Sequence, residues 1–355
     1  MTLAQNPGLQ TSRRSLVRLA ALTGAATVAT GVSANFVAAQ AQTALSLFPE
    51  DYHYPTVTGP SLALWGSSSF DGAHADQGVP QGYNASLAHL LRDYLGIPVL
   101  EFGRGGDTST MIAARRGVGA RTYQLVFPQD KIPATGSVPV TLAEGSQVAW
   151  GPSAQVPGLV GDVPGVLTAG DAEGSYSFTR TLDGAEVYAP ASSPASWFHS
   201  YQEMVSRACY HVIQIGRNNL DEFEQIKEDT QLSYDLAPER TLVMGHFRGQ
   251  WDARDSAMAK QVDAYNAWAK GVYGDRFVNP ELFMRETTQE AWLRYGALSG
   301  SGVWASDEDR AAYDEGKIPP SFYAADGFHL NGWGYVALAQ QLYYRTTHLG
   351  WFEAK

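Results

Sequence analysis

The chain has 355 residues, 44% hydrophobic and 17% charged, with a formal net charge of −11. That composition excludes a disordered or fibrous chain and supplies apolar material for a sizeable core, while the acidic balance argues against nucleic acid and anionic membrane surfaces as partners. The length exceeds what one hydrophobic core comfortably fills, so a core domain carrying an insertion is expected.

The first forty or so residues do not read as part of that core. Ser12-Arg13-Arg14-Ser15-Leu16 precedes an uncharged stretch, Leu19 to Ala39, and Ala39-Gln40-Ala41 offers a small-x-small cleavage pattern. A basic segment, an apolar segment and a small-residue site in that order predict a secretory signal over residues 1–41, and the arginine pair gives it twin-arginine character. The expected mature protein is exported, periplasmic or extracellular, without a stable membrane association. The signal holds Arg13, Arg14 and Arg18 and no acid, so its removal takes the formal charge from −11 to −14. Cys209 is the single cysteine; an exported chain with one thiol builds no internal disulfide, and this one sits in the apolar run Ala208 to Ile213, as a buried inert thiol would.

Beyond a Pro-rich lead-in, Ser61-Leu62-Ala63-Leu64-Trp65 reads as a buried strand stopping at Gly66, and Tyr83 to Tyr94 has helical spacing with Leu87, Leu90 and Leu91 on one face. Gly96 is the expected cap, Pro98-Val99-Leu100 opens a second strand ending at Gly103, and Asp107-Thr108-Ser109 starts another helix. The alternation resumes with strands at 210–215, 241–246 and 276–278 and helices at 257–272 and about 334–345. Strands alternating with helices predict a mostly parallel sheet, with ligands gathering outside the carboxyl ends of its strands. Residues 121–190 differ: they are rich in Gly and Pro, with short alternating runs at 123–127, 138–142, 176–180 and 185–188. They read as a small antiparallel β insertion between 42–120 and 191–355, whose aromatics Trp150, Tyr176, Phe178 and Tyr188 serve either as its core or as stacking faces for a sugar.

Four segments carry chemistry. Gly66-Ser67-Ser68-Ser69-Phe70-Asp71-Gly72 follows the first strand, where glycines let the backbone turn and leave a nucleophilic hydroxyl exposed. Gly103-Arg104-Gly105-Gly106-Asp107 follows the second and can aim an N–H at a developing oxyanion. Gly216-Arg217-Asn218-Asn219 offers a side-chain amide for the same task. Asp326-Gly327-Phe328-His329 precedes the last helix, and its spacing lets a carboxylate hold one ring nitrogen while the other faces a hydroxyl. Asp71, His74 and Asp76 form a rival group for a metal, but their irregular spacing on a loop reads as solvated surface. His211 and His246 read as core or cleft-wall residues.

At these four segments the chain resembles the SGNH/GDSL hydrolases. The resemblance implies Ser68 as nucleophile, His329 as general base, Asp326 as the group orienting it, and an oxyanion hole from the N–H groups of Ser68 and Gly106 with the Asn218 amide. It also implies a flavodoxin-like three-layer α/β/α fold, a mostly parallel sheet with the antiparallel insertion, and hydrolysis of carboxylic esters through an acyl-enzyme without metal or cofactor. Three positions depart from the family blocks: Ser67, Glu101 and Asn219 stand where Asp, Asn and Asp are usual. The Ser67-Ser68-Ser69 run leaves Ser67 as an alternative nucleophile. His329 also has a reading as a helix-start residue satisfied by Asp326, Asn218 as a turn cap, and Gly106 as a backbone requirement. The expected substrate is an O-acetylated carbohydrate; a short-chain carboxylesterase or lipase is the alternative, and a glycan-binding module retaining the fold is the non-enzymatic one.

Overall fold

The computed structural model describes residues 61–118, 123–143, 155–172, 174–286, 298 and 301–353. The expected signal segment, with Arg13 and Arg14, and the aromatic Trp150 lie outside them. In chain order the elements are β1 (Leu62–Gly66), α1 (Leu87–Leu95), β2 (Val99–Gly103) and α2 (Ser109–Arg115). Then come β3 (Tyr123–Val126), β4 (Lys131–Ile132), β5 (Ser137–Leu142), β6 (Gln155–Val160), β7 (Val163–Ala169), β8 (Tyr176–Arg180), β9 (Val187–Tyr188), β10 (Trp197–Ser200) and the short α3 (Tyr201–Ser206). The chain continues with β11 (Tyr210–Ile213), α4 (Phe223–Asp235), β12 (Thr241–Met244), α5 (Ala257–Tyr273), β13 (Phe277–Val278), α6 (Pro280–Glu286), α7 (Asp307–Asp314) and α8 (Gly332–His348). Among the described residues, no helix is long and apolar enough to cross a membrane. Two compact units divide the described chain: one includes Ala113–Ala208, the other Thr58–Ile112 with Cys209–Lys355.

The second unit is built on a parallel sheet in the order β13-β12-β11-β1-β2. Every residue of β1 and of β12 is buried, as expected of strands covered on both faces. Strand side chains alternate, so Leu62, Leu64, Val212, Leu242, Met244 and Val278 join one cluster with Leu87, Leu90 and Leu91 of α1 and Leu338 and Leu342 of α8. Each such leucine contributes roughly 1.5–3 kcal/mol by leaving water. Helix α1 starts at Leu87 rather than Tyr83 because Asn84 Oδ1 accepts the Ser86 N–H and Ser86 is held extended at ψ 141°. It ends at Gly96, whose left-handed φ of 67° lets its N–H donate to Arg92 O. Helix α8 starts at Gly332, two residues earlier than the apolar pattern indicates, because Asn331 Oδ1 accepts the N–H groups of Trp333 and Gly334.

The unit containing Ala113–Ala208 overturns the expected fold class. It holds a closed barrel, β10-β3-β5-β8-β7-β6, whose described pairings are antiparallel. A flavodoxin-like three-layer α/β/α SGNH hydrolase fold with a small antiparallel β insertion is therefore not what this chain adopts; only the parallel sheet agrees with that expectation. Three strands absent from the sequence reading cause the difference. The hairpin β6–β7 looks like loop because Pro157-Gly158 and Pro164-Gly165 interrupt its apolar alternation, and β10 then pairs with both β3 and β6. Gly158 faces Gly165 across the hairpin. A β-carbon would stand 2.5 Å from the Phe198 ring at Gly158 and 2.2 Å from the Phe178 ring at Gly165. These glycines make room for the two rings that fill the barrel, with Leu125, Val160 and Leu167 also fully buried.

Candidate active site

All the residues singled out by the motifs lie in the second unit, on loops that follow β1, β2 and β11 or precede α8. The loops bind one another through specific polar contacts. Asp71 Oδ2 accepts the Gly105 N–H at 3.2 Å, and Arg104 N–H donates to Gly66 O at 3.2 Å, joining the first loop to the second. A β-carbon on Gly103 would stand 2.1 Å from the backbone of Phe70 and Asp71, so the first loop crosses directly over the end of β2. Asn218 Nδ2 donates to Asp107 O at 2.8 Å, and Asn219 spans Ser109, accepting its N–H at 3.0 Å and donating to its Oγ at 3.1 Å. Asn219, where the family blocks carry Asp, thus ties the third loop to the start of α2. Glu101, the departure in the second block, is half-buried; burial and the nearby Asp71 raise its carboxyl above the usual range, with Arg92 opposing.

The fourth loop brings an imidazole to the first. His329 Nε2 lies 2.9 Å from Ser68 Oγ, and His329 Nδ1 lies 2.6 Å from Asp326 Oδ2. The carboxylate can only accept, so Nδ1 carries the ring proton and Nε2 presents a lone pair to the Ser68 hydroxyl. Asp326 Oδ1 accepts the N–H groups of Phe328 and His329, each at 3.0 Å, which locks the carboxylate rotamer within its own turn. Partial burial works against its ionisation, but the bonds from the His329 ring and the two backbone N–H groups outweigh it and hold the carboxyl well below the ordinary range. Ser68 is 8% exposed, whereas Ser67 is fully buried and its Oγ has no hydrogen-bond partner among the described residues. Of the two serines, the structure brings only Ser68 to the histidine.

The three expected oxyanion donors occupy the ends of β1, β2 and β11. The N–H groups of Ser68 and Gly106 donate to no acceptor among the described residues. Gly106 has a φ of 81°, a β-carbon on it would meet nothing within 4 Å, and it is exposed. Asn218 is exposed as well, and its bond to Asp107 O uses one of its two amide hydrogens, leaving the other free to donate. The structure thus places a hydroxyl, a base with its orienting carboxylate, and unspent N–H donors in one set of interlocked loops. That is the equipment of acyl transfer.

Four features of the site were not legible in the motifs. His74, read as solvated surface, has its Nε2 3.3 Å from Asp326 Oδ2. Gln77 reaches the same loop, donating to His74 Nδ1 at 2.8 Å and accepting the Ala325 N–H at 3.0 Å. Arg217 is buried between the rings of Phe247 and Phe328, 4.3 Å from each centroid, and donates to both their carbonyls, so that it ties the 326–329 turn to the segment after β12. Burial lowers its guanidinium to about 10, which still leaves it charged at neutral pH. Trp251 is 70% exposed and packs over Gly327, where a β-carbon would stand 2.4 Å from the indole.

His74, Asp326 and His329 also offer three ligand atoms within 4.8 Å of one another, a spacing a metal ion could use. The hydrogen bonds oppose that use. Gln77 spends its oxygen on Ala325, so its amide N–H faces His74 Nδ1; Nδ1 must accept, and Nε2 carries a proton rather than a metal-binding lone pair. Asp71 and Asp76, the other members of the rival group, are exposed and do not join it. His211 and His246 are fully buried, and burial, with Arg217 adding to it, lowers His246 to about 3. The Cys209 thiol is buried and pushed up to about 12 by that burial, with Ser61 Oγ donating to its sulfur. Of the insertion aromatics, Tyr176 and Phe178 belong to the barrel core, while Tyr188 is 66% exposed. Neither a family model nor a curated protein matches this chain.

Proposed function

We propose that the chain is a serine esterase, with Ser68 attacking a carboxylic ester, His329 as general base and then general acid, and Asp326 holding the imidazole. The observation that carries this reading is the unbroken relay from Ser68 Oγ to His329 Nε2 at 2.9 Å and from His329 Nδ1 to Asp326 Oδ2 at 2.6 Å. In the cycle, the Ser68 proton passes to His329 as the C–O bond forms. The tetrahedral oxyanion is met by the N–H groups of Ser68 and Gly106 and by the free hydrogen of the Asn218 amide. Collapse expels the alcohol, protonated by His329, and water attacks the acyl-enzyme by the reverse route. The four sequence blocks that resemble SGNH/GDSL hydrolases support the same reaction class, and the N-terminal segment supports export.

For the substrate we propose an O-acetylated carbohydrate. The support is the exposed face of Trp251 beside the triad turn, a flat apolar surface suited to a sugar ring. The barrel aromatics Tyr176 and Phe178 give no such support, because they are buried. The test is a panel of acetylated glycans and 4-nitrophenyl esters of increasing chain length, assayed for released acid with the parent, Ser68→Ala and Ser67→Ala. Ser68→Ala should lose at least about 10³-fold in turnover, and Ser67→Ala should stay within about threefold of the parent. Equal activity in the parent and Ser68→Ala would remove the hydroxyl from the chemistry. Preference for long acyl chains over acetyl would favour a lipase instead, and binding of glycans without hydrolysis of any ester would favour a glycan-binding module.

A further inference from the structure

The turn after the nucleophile places a second imidazole on the carboxylate of the relay. His74 sits at a left-handed φ of 63°, a region that non-glycine residues rarely occupy and that persists only where the surroundings impose it. Here the surroundings are explicit. The Gln77 N–H donates to His74 O at 3.0 Å, and the Gln77 amide donates to His74 Nδ1 at 2.8 Å. The same amide is itself oriented, because its oxygen accepts the Ala325 N–H and its backbone carbonyl accepts the Gly332 N–H at 2.9 Å. A flipped amide would set N–H against N–H at Ala325. His74 Nδ1 is therefore an acceptor, its ring is neutral, and its proton is on Nε2, the atom 3.3 Å from Asp326 Oδ2.

We propose that His74 is a positioning residue of the triad: its Nε2–H donates to Asp326 Oδ2, the oxygen that His329 Nδ1 also contacts, and keeps that oxygen in line with the imidazole. A carboxylate has about four acceptor sites; on Asp326 two backbone N–H groups fill Oδ1 and the His329 ring takes one site on Oδ2, leaving a site on that oxygen, from which His74 Nε2 is 3.3 Å away. Without His74, the carboxylate keeps its backbone anchor, and water takes the vacated site because Asp326 is 38% exposed. The loss then falls on alignment rather than on folding. Among the described residues, the titratable groups in contact with the His74 ring are Asp326 and His329, whose ring centroid is 5.1 Å away; Gln77 is neutral.

The proposal rests on reading Ser68, His329 and Asp326 as a catalytic triad, so its test has one arm that needs turnover and one that does not. His74→Phe keeps an aromatic ring and removes the donor; His74→Gln restores an N–H near the position of Nε2. With 4-nitrophenyl acetate, His74→Phe should lower kcat by about five- to tenfold at unchanged KM, and His74→Gln should recover it to within about twofold. In the second arm, ring-labelled histidine is followed by NMR. The parent should show His74 as the Nε2–H tautomer, and the His329 Nδ1–H proton resonance should move in His74→Phe and return in His74→Gln. A parent His74 protonated on Nδ1, or a His74→Phe variant with unchanged kcat and an unmoved His329 resonance, overturns the proposal. The parent tautomer decides the matter even where His74→Phe fails to fold. Equal hydrolysis by the parent and Ser68→Ala would instead sink the esterase reading, and the NMR arm alone would then decide whether His74 holds Asp326.

Discussion

Replacing Asp326 with Asn tests the relay most sharply, because the two side chains have the same shape and opposite hydrogen-bond requirements on one arm. Asp326 accepts two backbone N–H groups on Oδ1 and the His329 ring on Oδ2, and His74 Nε2 lies 3.3 Å from that second oxygen. An Asn amide has a single acceptor oxygen, so its NH₂ must face at least one donor whichever way it turns. If the oxygen stays with the backbone N–H groups of Phe328 and His329, the NH₂ meets His329 Nδ1, which must then accept. The ring proton moves to Nε2, and His329 presents a donor to Ser68 where a base is required. Loss of the correct tautomer in a triad of this kind costs about 10⁴-fold in kcat, on the order of 5.5 kcal/mol in barrier height. The assay is hydrolysis of 4-nitrophenyl acetate by parent and Asp326→Asn near neutral pH, with KM expected to stay within about threefold. A variant within tenfold of the parent, on a reaction that Ser68→Ala abolishes, would refute the assignment of Asp326.

The same carboxylate makes a prediction about stability and pH. Its folded-state carboxyl is held below the ordinary value, so the ionised form is favoured by folding. That contribution is fully present above the unfolded value of about 3.9 and is lost as pH falls through the lower folded value. The difference in unfolding free energy between the parent and Asp326→Asn should therefore shrink as acidification protonates the carboxyl. A difference that grew at low pH would contradict the direction of the shift.

Two further variants probe other parts of the molecule. Asn218→Ala removes one proposed oxyanion donor and should reduce kcat by about 10²- to 10³-fold with little change in thermal stability, since the residue is exposed; a change under threefold would assign that donor elsewhere. Gly165→Ala puts a β-carbon 2.2 Å from the Phe178 ring and 2.7 Å from Thr179 O. It should destabilise the protein by about 1–3 kcal/mol in urea unfolding, and an unchanged midpoint would mean that the barrel accommodates what its packing forbids.

The parts of the site that were readable in the sequence are those that local geometry dictates. A serine at the end of a buried strand, a glycine-rich loop at the end of the next and an Asp-x-x-His turn ahead of a helix each announce themselves through glycine and capping chemistry within a few residues. The parallel sheet was readable for the same reason, since β1 and β12 are short apolar runs bounded by turns. The barrel was not. Its β6–β7 hairpin carries Pro157, Gly158, Pro164 and Gly165, residues that signal a loop when read alone and become strand only when Phe178 and Phe198 cover the glycines. That information belongs to pairings between distant segments, which is why the closed barrel was not expected and the flavodoxin-like fold class failed.

His74 shows the same limit at the scale of one hydrogen bond. Read within its own loop, it belonged to a scattered group of acids and suggested a weak metal site or a wet surface. Its orientation is set by Gln77, which donates to it locally and accepts from Ala325, 248 residues away. The site as a whole follows that logic. Asp71 holds Gly105, Asn218 holds Asp107, Asn219 holds Ser109, and Arg217 holds the Phe328 carbonyl. Each loop that offers a reacting group is thus fixed by a polar side chain from, or offered to, a different loop. Such cross-bracing supplies the preorganisation that the proposed acyl transfer would require, since donors already aimed at a developing charge need no reorganisation. Among the described residues, Ser67, Glu101 and Asn219 stand outside the hydrogen bonds that join Ser68 Oγ to His329 Nε2 and His329 Nδ1 to Asp326 Oδ2, and Asn219 braces Ser109 with an amide that both donates and accepts.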